Sequence, residues 1–285
     1  MGLRQSRRRA PAPLGAASGT AGALMDQFTP HYVDVVVPDA VLLPGDAPAA
    51  VTVHPNASGA VWYNAQDASL TCDSDGAVVA WHPQAGIGSS AIPVKPNEGN
   101  LRVAAQGGLT FQSKVNAGLV VADALVEPQA FTIAVRYLSE QGEARSLVTV
   151  NPTEEGNYLF LAEKEGALIW QDQDDEAVLN MPAPKGGGWA IASYADGQLS
   201  LACAAMGGAV ATPLTIRSNT DGVRAALAGS CDLFIGCRSH RKGILKTLGT
   251  STMLDVLVWI DHDCLADPAD LAAALRQCET EGNGA

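Results

Sequence analysis

Apolar and polar residues alternate in short runs along this chain, which is the period of β-strands. The clearest run puts Trp189, Ile191 and Ser193 on one face and Ala190, Ala192 and Tyr194 on the other. Gly186, Gly187 and Gly188 form a lead-in that delivers Trp189 to the head of this strand. Asp196-Gly197 predicts a two-residue reversal, because such a turn needs positive φ and Asp-Gly supplies it at little cost. A second alternating run, 198–204, returns and ends at Gly207-Gly208. Residues 158–162 and 167–171 predict another hairpin across 163–166. Runs at 32–37 (closed by Pro38), 41–43 and 50–53 predict a β-rich N-terminal extension over 26–58. Helical spacing appears only near the end. Asp267 is placed to cap, Pro268 to take the first helical position and Asp270 the first turn, while Leu271, Leu275 and Cys278 share one face. No internal repeat of fixed period is present.

The order of strand, Asp-Gly turn, strand and Gly at 186–208 resembles the signature hairpin of the concanavalin A-like, laminin-G-like jelly-roll family. Residues 60–70 (AVWYNAQDASL), the turn Asp75-Gly76 and the strand 78–81 ending in Trp81 resemble the opening of such domains. The segments 107–111, 115–125, 130–137, 232–236, 243–248 and 253–259 take the places of later strands. The resemblance spans 59–278. It implies an all-β fold, a two-sheet antiparallel jelly-roll sandwich, with the β-rich extension before it, a short C-terminal helix and a tail over 279–285. As large aromatic side chains, Trp62, Trp81, Trp189 and Trp259 are expected to fill the core between the two sheets. Domains of this family mostly bind glycans or proteins, often through rim loops and often with calcium, and fewer are enzymes.

Composition narrows the function. Hydrophobic residues make up 47% of the 285, enough for a sizeable core, and charged residues 17%, too few for a disordered chain. No apolar run approaches the roughly 18 residues of a membrane-spanning helix. Aromatics are only 5%, which is low for a protein that lives by stacking sugars. The net charge is −12 and unevenly spread. Four of the 18 basic residues (Arg4, Arg7, Arg8 and Arg9) and none of the 30 acidic ones fall in 1–25, so the rest carries 14 against 30, a net −16. A body this acidic repels phosphate backbones and is not expected to bind nucleic acid. Residues 1–25 lack hydrophobic periodicity and are expected to be disordered. A start at Met25, a flexible tail and a twin-arginine-type export signal at Arg7-Arg8 stay open for them. The six cysteines form no CxxC pair and are expected to be reduced, mostly buried thiols, with disulfides the alternative in an exported chain.

Candidate chemistry is sparse. A retaining glycosidase needs two carboxyls about 5 Å apart facing one cleft. The strands offer only single acids, Glu163 at a turn and Asp255 within 253–259. Asp172, Asp174, Asp175 and Glu176 form an acidic run after a strand, expected as a solvated loop, with calcium as the candidate ion for closely spaced carboxylates. Arg238, Ser239, His240, Arg241 and Lys242 form the basic cluster outside the N-terminal segment. Arg238, His240 and Arg241 are candidates for an anionic glycan, because guanidinium matches carboxylate or sulfate with paired hydrogen bonds. Trp170, at a strand end, and Tyr158 across the hairpin are the candidate stacking pair on a rim. No nucleophile elbow, phosphate loop or dinucleotide fingerprint is present. The expected function is a non-catalytic carbohydrate-binding or adhesion module. Its expected partners are a glycan or capsular polysaccharide and other surface or particle proteins. The setting is a cell surface, secretion, or the surface of a phage-like particle. A polysaccharide lyase or hydrolase and a structural decoration module are the alternatives.

Overall fold

The computed structural model describes residues 59–95, 99–154, 157–173, 177–217, 227–240, 247–266 and 268–282. The expected extension over 26–58 and the readings of 1–25 lie outside them, as do Asp174, Asp175, Glu176, Arg241, Lys242, Asp267 and most of 243–248. Strands follow one another as β1 (Val61–Asn64), β2 (Leu70–Cys72), β3 (Val78–Trp81), β4 (Ile92–Pro93), β5 (Arg102–Val103), β6 (Leu109–Phe111), β7 (Leu119–Val126) and β8 (Ala130–Ser139). They continue as β9 (Arg145–Pro152), β10 (Leu159–Lys164), β11 (Ala167–Asp172), β12 (Val178–Pro182), β13 (Gly186–Ala195), β14 (Gln198–Ala204), β15 (Leu214–Arg217), β16 (Ser230–Ile235) and β17 (Ser251–Ile260). One helix, α1 (Pro268–Gly282), ends the described chain.

Two antiparallel sheets face each other. One runs β15-β14-β13-β8-β17-β6-β5 with β1 also on β17, and the other runs β12-β11-β10-β9-β16-β7-β4. Chain neighbours such as β8 and β9, or β16 and β17, lie in different sheets, the crossing pattern of a jelly roll. Asp196 and Gly197 adopt φ of 49° and 77° and close the two-residue turn from Ala195 to Gln198, as their identities predict. The glycine lead-in differs from expectation. Gly186, Gly187 and Gly188 already belong to β13, paired with Ser139, Leu138 and Tyr137 of β8. Gly187 holds φ at 113°, and a Cβ there would lie 2.3 Å from the Tyr137 carbonyl oxygen, so the close approach of the two strands requires glycine.

The main core lies between the sheets and is built from alternate residues of each strand, including Ala190, Ala192 and Tyr194 of β13. It also holds an interior polar link: Tyr137 donates from its hydroxyl to Glu163 (3.0 Å), which also accepts from the Ala144 N–H (3.1 Å). Glu163, expected at a turn, is therefore an interior residue of β10. Burial, and then the neighbouring Glu163, raise the Tyr137 hydroxyl well above its ordinary value.

A second core lies outside the eight-stranded sheet. Trp62, Trp189, Ile191 and Trp259 meet Leu271, Leu275 and Cys278 of α1 there. The predicted apolar face of the helix is correct, but three of the four tryptophans expected between the sheets lie under the helix, and only Trp81 belongs to the main core. The helix continues through Glu279 to Gly282, residues expected to be tail. Among the described residues no helix is long and apolar enough to cross a membrane. None of the six cysteines is bonded to another; Cys72 is exposed and four are buried.

Candidate functional site

Two surfaces concentrate polar chemistry, one on the outer face of each sheet. On the seven-stranded sheet, register aligns Gln171, Phe160, Thr149, Phe234 and Val120 in one row across five strands. After β16 the chain turns at Gly236 (φ 72°) and lays the next residues back over this row. Thr149 donates its hydroxyl to the Cys237 carbonyl (3.3 Å), and the Asn151 amide donates to the Arg238 carbonyl (3.4 Å). The Arg238 guanidinium sits 3.6 Å from the centre of the Phe160 ring, and the His240 ring meets Phe234 edge-on at 5.1 Å. Tyr158 lies beside Phe160 at 5.9 Å. Phe160 and Phe234 are buried, so they act as seats, whereas Arg238 and Tyr158 are half-buried and His240 is exposed. Cys237, anchoring this segment, is pushed up to about 12 by burial and stays a neutral thiol.

Three sequence candidates, Tyr158, Arg238 and His240, are thus brought together. Trp170 is not. It pairs with Leu161, while Tyr158 shares the opposite face with Phe160. Trp170 points into the main core, fully buried, with its indole N–H donated to the Ser193 carbonyl (3.2 Å) and its edge against Phe131. Of the expected Tyr158–Trp170 stacking pair only Tyr158 lies on this face, its ring tilted against the buried Phe160. Adjacent strands place partners on one face only in register, and Tyr158 and Trp170 are out of step by one. Asp172 is likewise interior rather than on a solvated loop. It accepts from the Ala177 N–H (3.3 Å) and the Asn157 amide (3.4 Å) and closes the loop between them. Among the described residues no group of three His, Cys, Asp or Glu side chains could hold a metal ion.

The second surface was not visible in the sequence. On the outer face of the eight-stranded sheet a row runs Ala204, Trp189, Arg136, Asp255 and Asn64 across five strands. Asp255 Oδ1 accepts from the Trp62 indole N–H and the Asn64 amide, both at 2.7 Å, and its Oδ2 pairs with Arg136 Nε. Burial pushes the Asp255 carboxyl up from its ordinary value, and Arg136 with the two other donors opposes that push in part. Asp255 reaches this face through a bulge: Met253 pairs with Tyr137 and Asp255 with Arg136, leaving Leu254 as the extra residue. Strict alternation would have kept Asp255 on the same face as Met253, inside.

Above Arg136 and Asn64 lies a groove of about 1180 Å³. Its walls are the tight turn 104–108, the segment 65–68, Met206-Gly207 and Glu279 of α1. Glu279 accepts from the Trp189 indole N–H (2.8 Å) and the Gly207 N–H (3.0 Å), fixing helix, sheet and loop at one wall.

No family model matches this chain, and no curated protein matches it. Among solved structures it is similar to an arabinofuranosidase complexed with arabinofuranosyl-alpha-1,2-xylobiose, with 8% identity, 71% of this chain and 50% of that chain covered, and a TM-score of 0.49. It is similar to the botulinum neurotoxin serotype D ligand binding domain in complex with N-acetylneuraminic acid, with 10% identity, coverage of 78% and 51%, and a TM-score of 0.48. It is also similar to the LG1-3 region of the laminin alpha2 chain, with 11% identity, coverage of 58% and 33%, and a TM-score of 0.40. The chain spans half or less of the length of the first and third of these and about half of the second.

Proposed function

We propose that this chain is a non-catalytic carbohydrate-binding module that grips an acidic glycan on the outer face of its seven-stranded sheet. The observation that carries this reading is the assembly of Tyr158, Arg238 and His240, from distant parts of the chain, into one accessible patch seated on Phe160 and Phe234. A guanidinium seated over a ring loses less freedom on meeting a carboxylate or sulfate. Tyr158 adds an aromatic surface with a polar tip, suited to a sugar ring and its hydroxyls. The non-catalytic part is supported by the use of the buried carboxylates. Glu163, Asp172 and Asp255 each accept from internal donors that hold the fold.

The test is calorimetric titration with polygalacturonate, alginate, hyaluronan and heparin, with dextran as neutral control. Arg238→Ala is expected to weaken acidic-glycan binding about tenfold or more, the weight of a charge-assisted hydrogen bond. Tyr158→Ala is expected to weaken it by a similar factor. Unchanged affinity in both variants would remove this face as the site. New reducing ends or unsaturated products after incubation would replace the binding module by an enzyme.

A further inference from the structure

The groove over Arg136 has the makings of a second site with different chemistry. Arg136 and Asn64 both line it. Arg136 is 3% exposed and spends its Nε on Asp255, and its two Nη groups have no hydrogen-bond partner among the described residues. Asn64 is 2% exposed; its amide N–H goes to Asp255, and its Oδ1 is a buried acceptor with no partner. A strong donor and an orphan acceptor thus stand two positions apart in one row, joined through Asp255 and rigidly held. Buried polar atoms in a packed protein are normally paired, so an unfilled pair at the floor of an open groove suggests a ligand's place.

Charge decides which ligand. The lining carries two acidic side chains, Asp67 and Glu279, against the single cation Arg136, whose charge Asp255 already answers. A carboxylate entering here would compete with Asp255 for one guanidinium and face Glu279. A hydroxyl carries no charge, and each can accept from Nη while donating to Oδ1. Leu138, Leu254 and Met206 supply apolar contact for a C–H face.

We infer that this groove is a second binding site, for a neutral polyhydroxylated ligand of the saccharide class, separate from the acidic-glycan face. A module with one face for anionic groups and a groove for neutral sugar would read two features of a mixed polysaccharide.

The indole N–H groups of Trp62 and Trp189 report on the floor and the wall, since one donates to Asp255 and the other to Glu279. That of Trp170 reports on the sandwich interior. The full chain is titrated with glucose, galactose, mannose, N-acetylglucosamine and their disaccharides, and with glucuronate and galacturonate, while the indole signals are followed by NMR. At least one neutral sugar is expected to shift the Trp62 and Trp189 signals and leave Trp170 in place, with the uronates weaker than their neutral parents. Ala105→Tyr, an exposed position on the 104–108 turn, narrows the mouth without touching the core and is expected to reduce that affinity at least tenfold. Arg238→Ala is expected to leave it unchanged, so failure of the acidic-glycan reading would not be mistaken for failure here. No shift with any neutral sugar, uronates binding more tightly than their parents, or full affinity in Ala105→Tyr would each overturn the inference.

Discussion

Asp255 sits in one of the least hydrated parts of the molecule, and three donors converge on its carboxyl. An isolated carboxylate in such a place would be strongly disfavoured; here Arg136, Trp62 and Asn64 offset part of the cost of burial. Asp255→Asn keeps the shape but sets an amide N–H₂ or a single oxygen where two carboxylate oxygens served three donors. Arg136 is then left buried without its counter-charge. The expected cost is about 3–5 kcal/mol in denaturant unfolding, the range for breaking one half of a buried pair. Arg136→Met combined with Asp255→Leu removes both halves and should cost less than the single change. Equal stability of Asp255→Asn and the parent would show that the pair does not hold this face together.

At the scale of elements, the strands were legible where a two-residue turn or an unbroken alternation marked them. The Asp196-Gly197 hairpin needed only side-chain period and turn chemistry, whereas the central strand β8 was placed through the family resemblance of 130–137. Three features were not legible. β9, central in its sheet, has both faces buried over 146–150 and so lacks alternation. The bulge at Leu254, invisible to a period count, moves Asp255 from the interior to the groove floor. The side of the sheet that Trp62, Trp189 and Trp259 occupy depends on where α1 docks, which their own sequence does not encode. The same limit explains the candidate site. The composition of the basic loop marked Arg238 and His240, but the rings that seat them come from β10 and β16, and Trp170 fell on the wrong face by one residue of register. The helix is therefore a structural cover. Leu275→Ala should cost about 2–5 kcal/mol by opening the outer core, with faster hydrogen exchange at the indoles of Trp62 and Trp189. Exchange unchanged at both would mean the sheet protects them without the helix.

For the whole molecule, the two proposed contacts sit on opposite outer faces of one sandwich, and the chain's net charge of −12 acts on them differently. An acidic polysaccharide approaching the Arg238 face first meets the repulsive field of the whole protein and only at contact the local cation. The Debye length is about 10 Å at 0.1 M salt and about 30 Å at 0.01 M. At low salt the repulsion therefore extends far beyond the patch, and raising salt toward physiological strength screens it first. The association rate with an acidic glycan is expected to rise over that range, the reverse of the behaviour of a basic protein meeting a polyanion. Dissociation should quicken as well, because the contact itself is screened. A neutral sugar in the Arg136 groove should show almost no salt dependence in either rate. Surface-based kinetics at several ionic strengths measure both. A rate of acidic-glycan association that falls steadily with salt would mean that the encounter is governed by a local basic field, and that the acidity of the body does not reach the site.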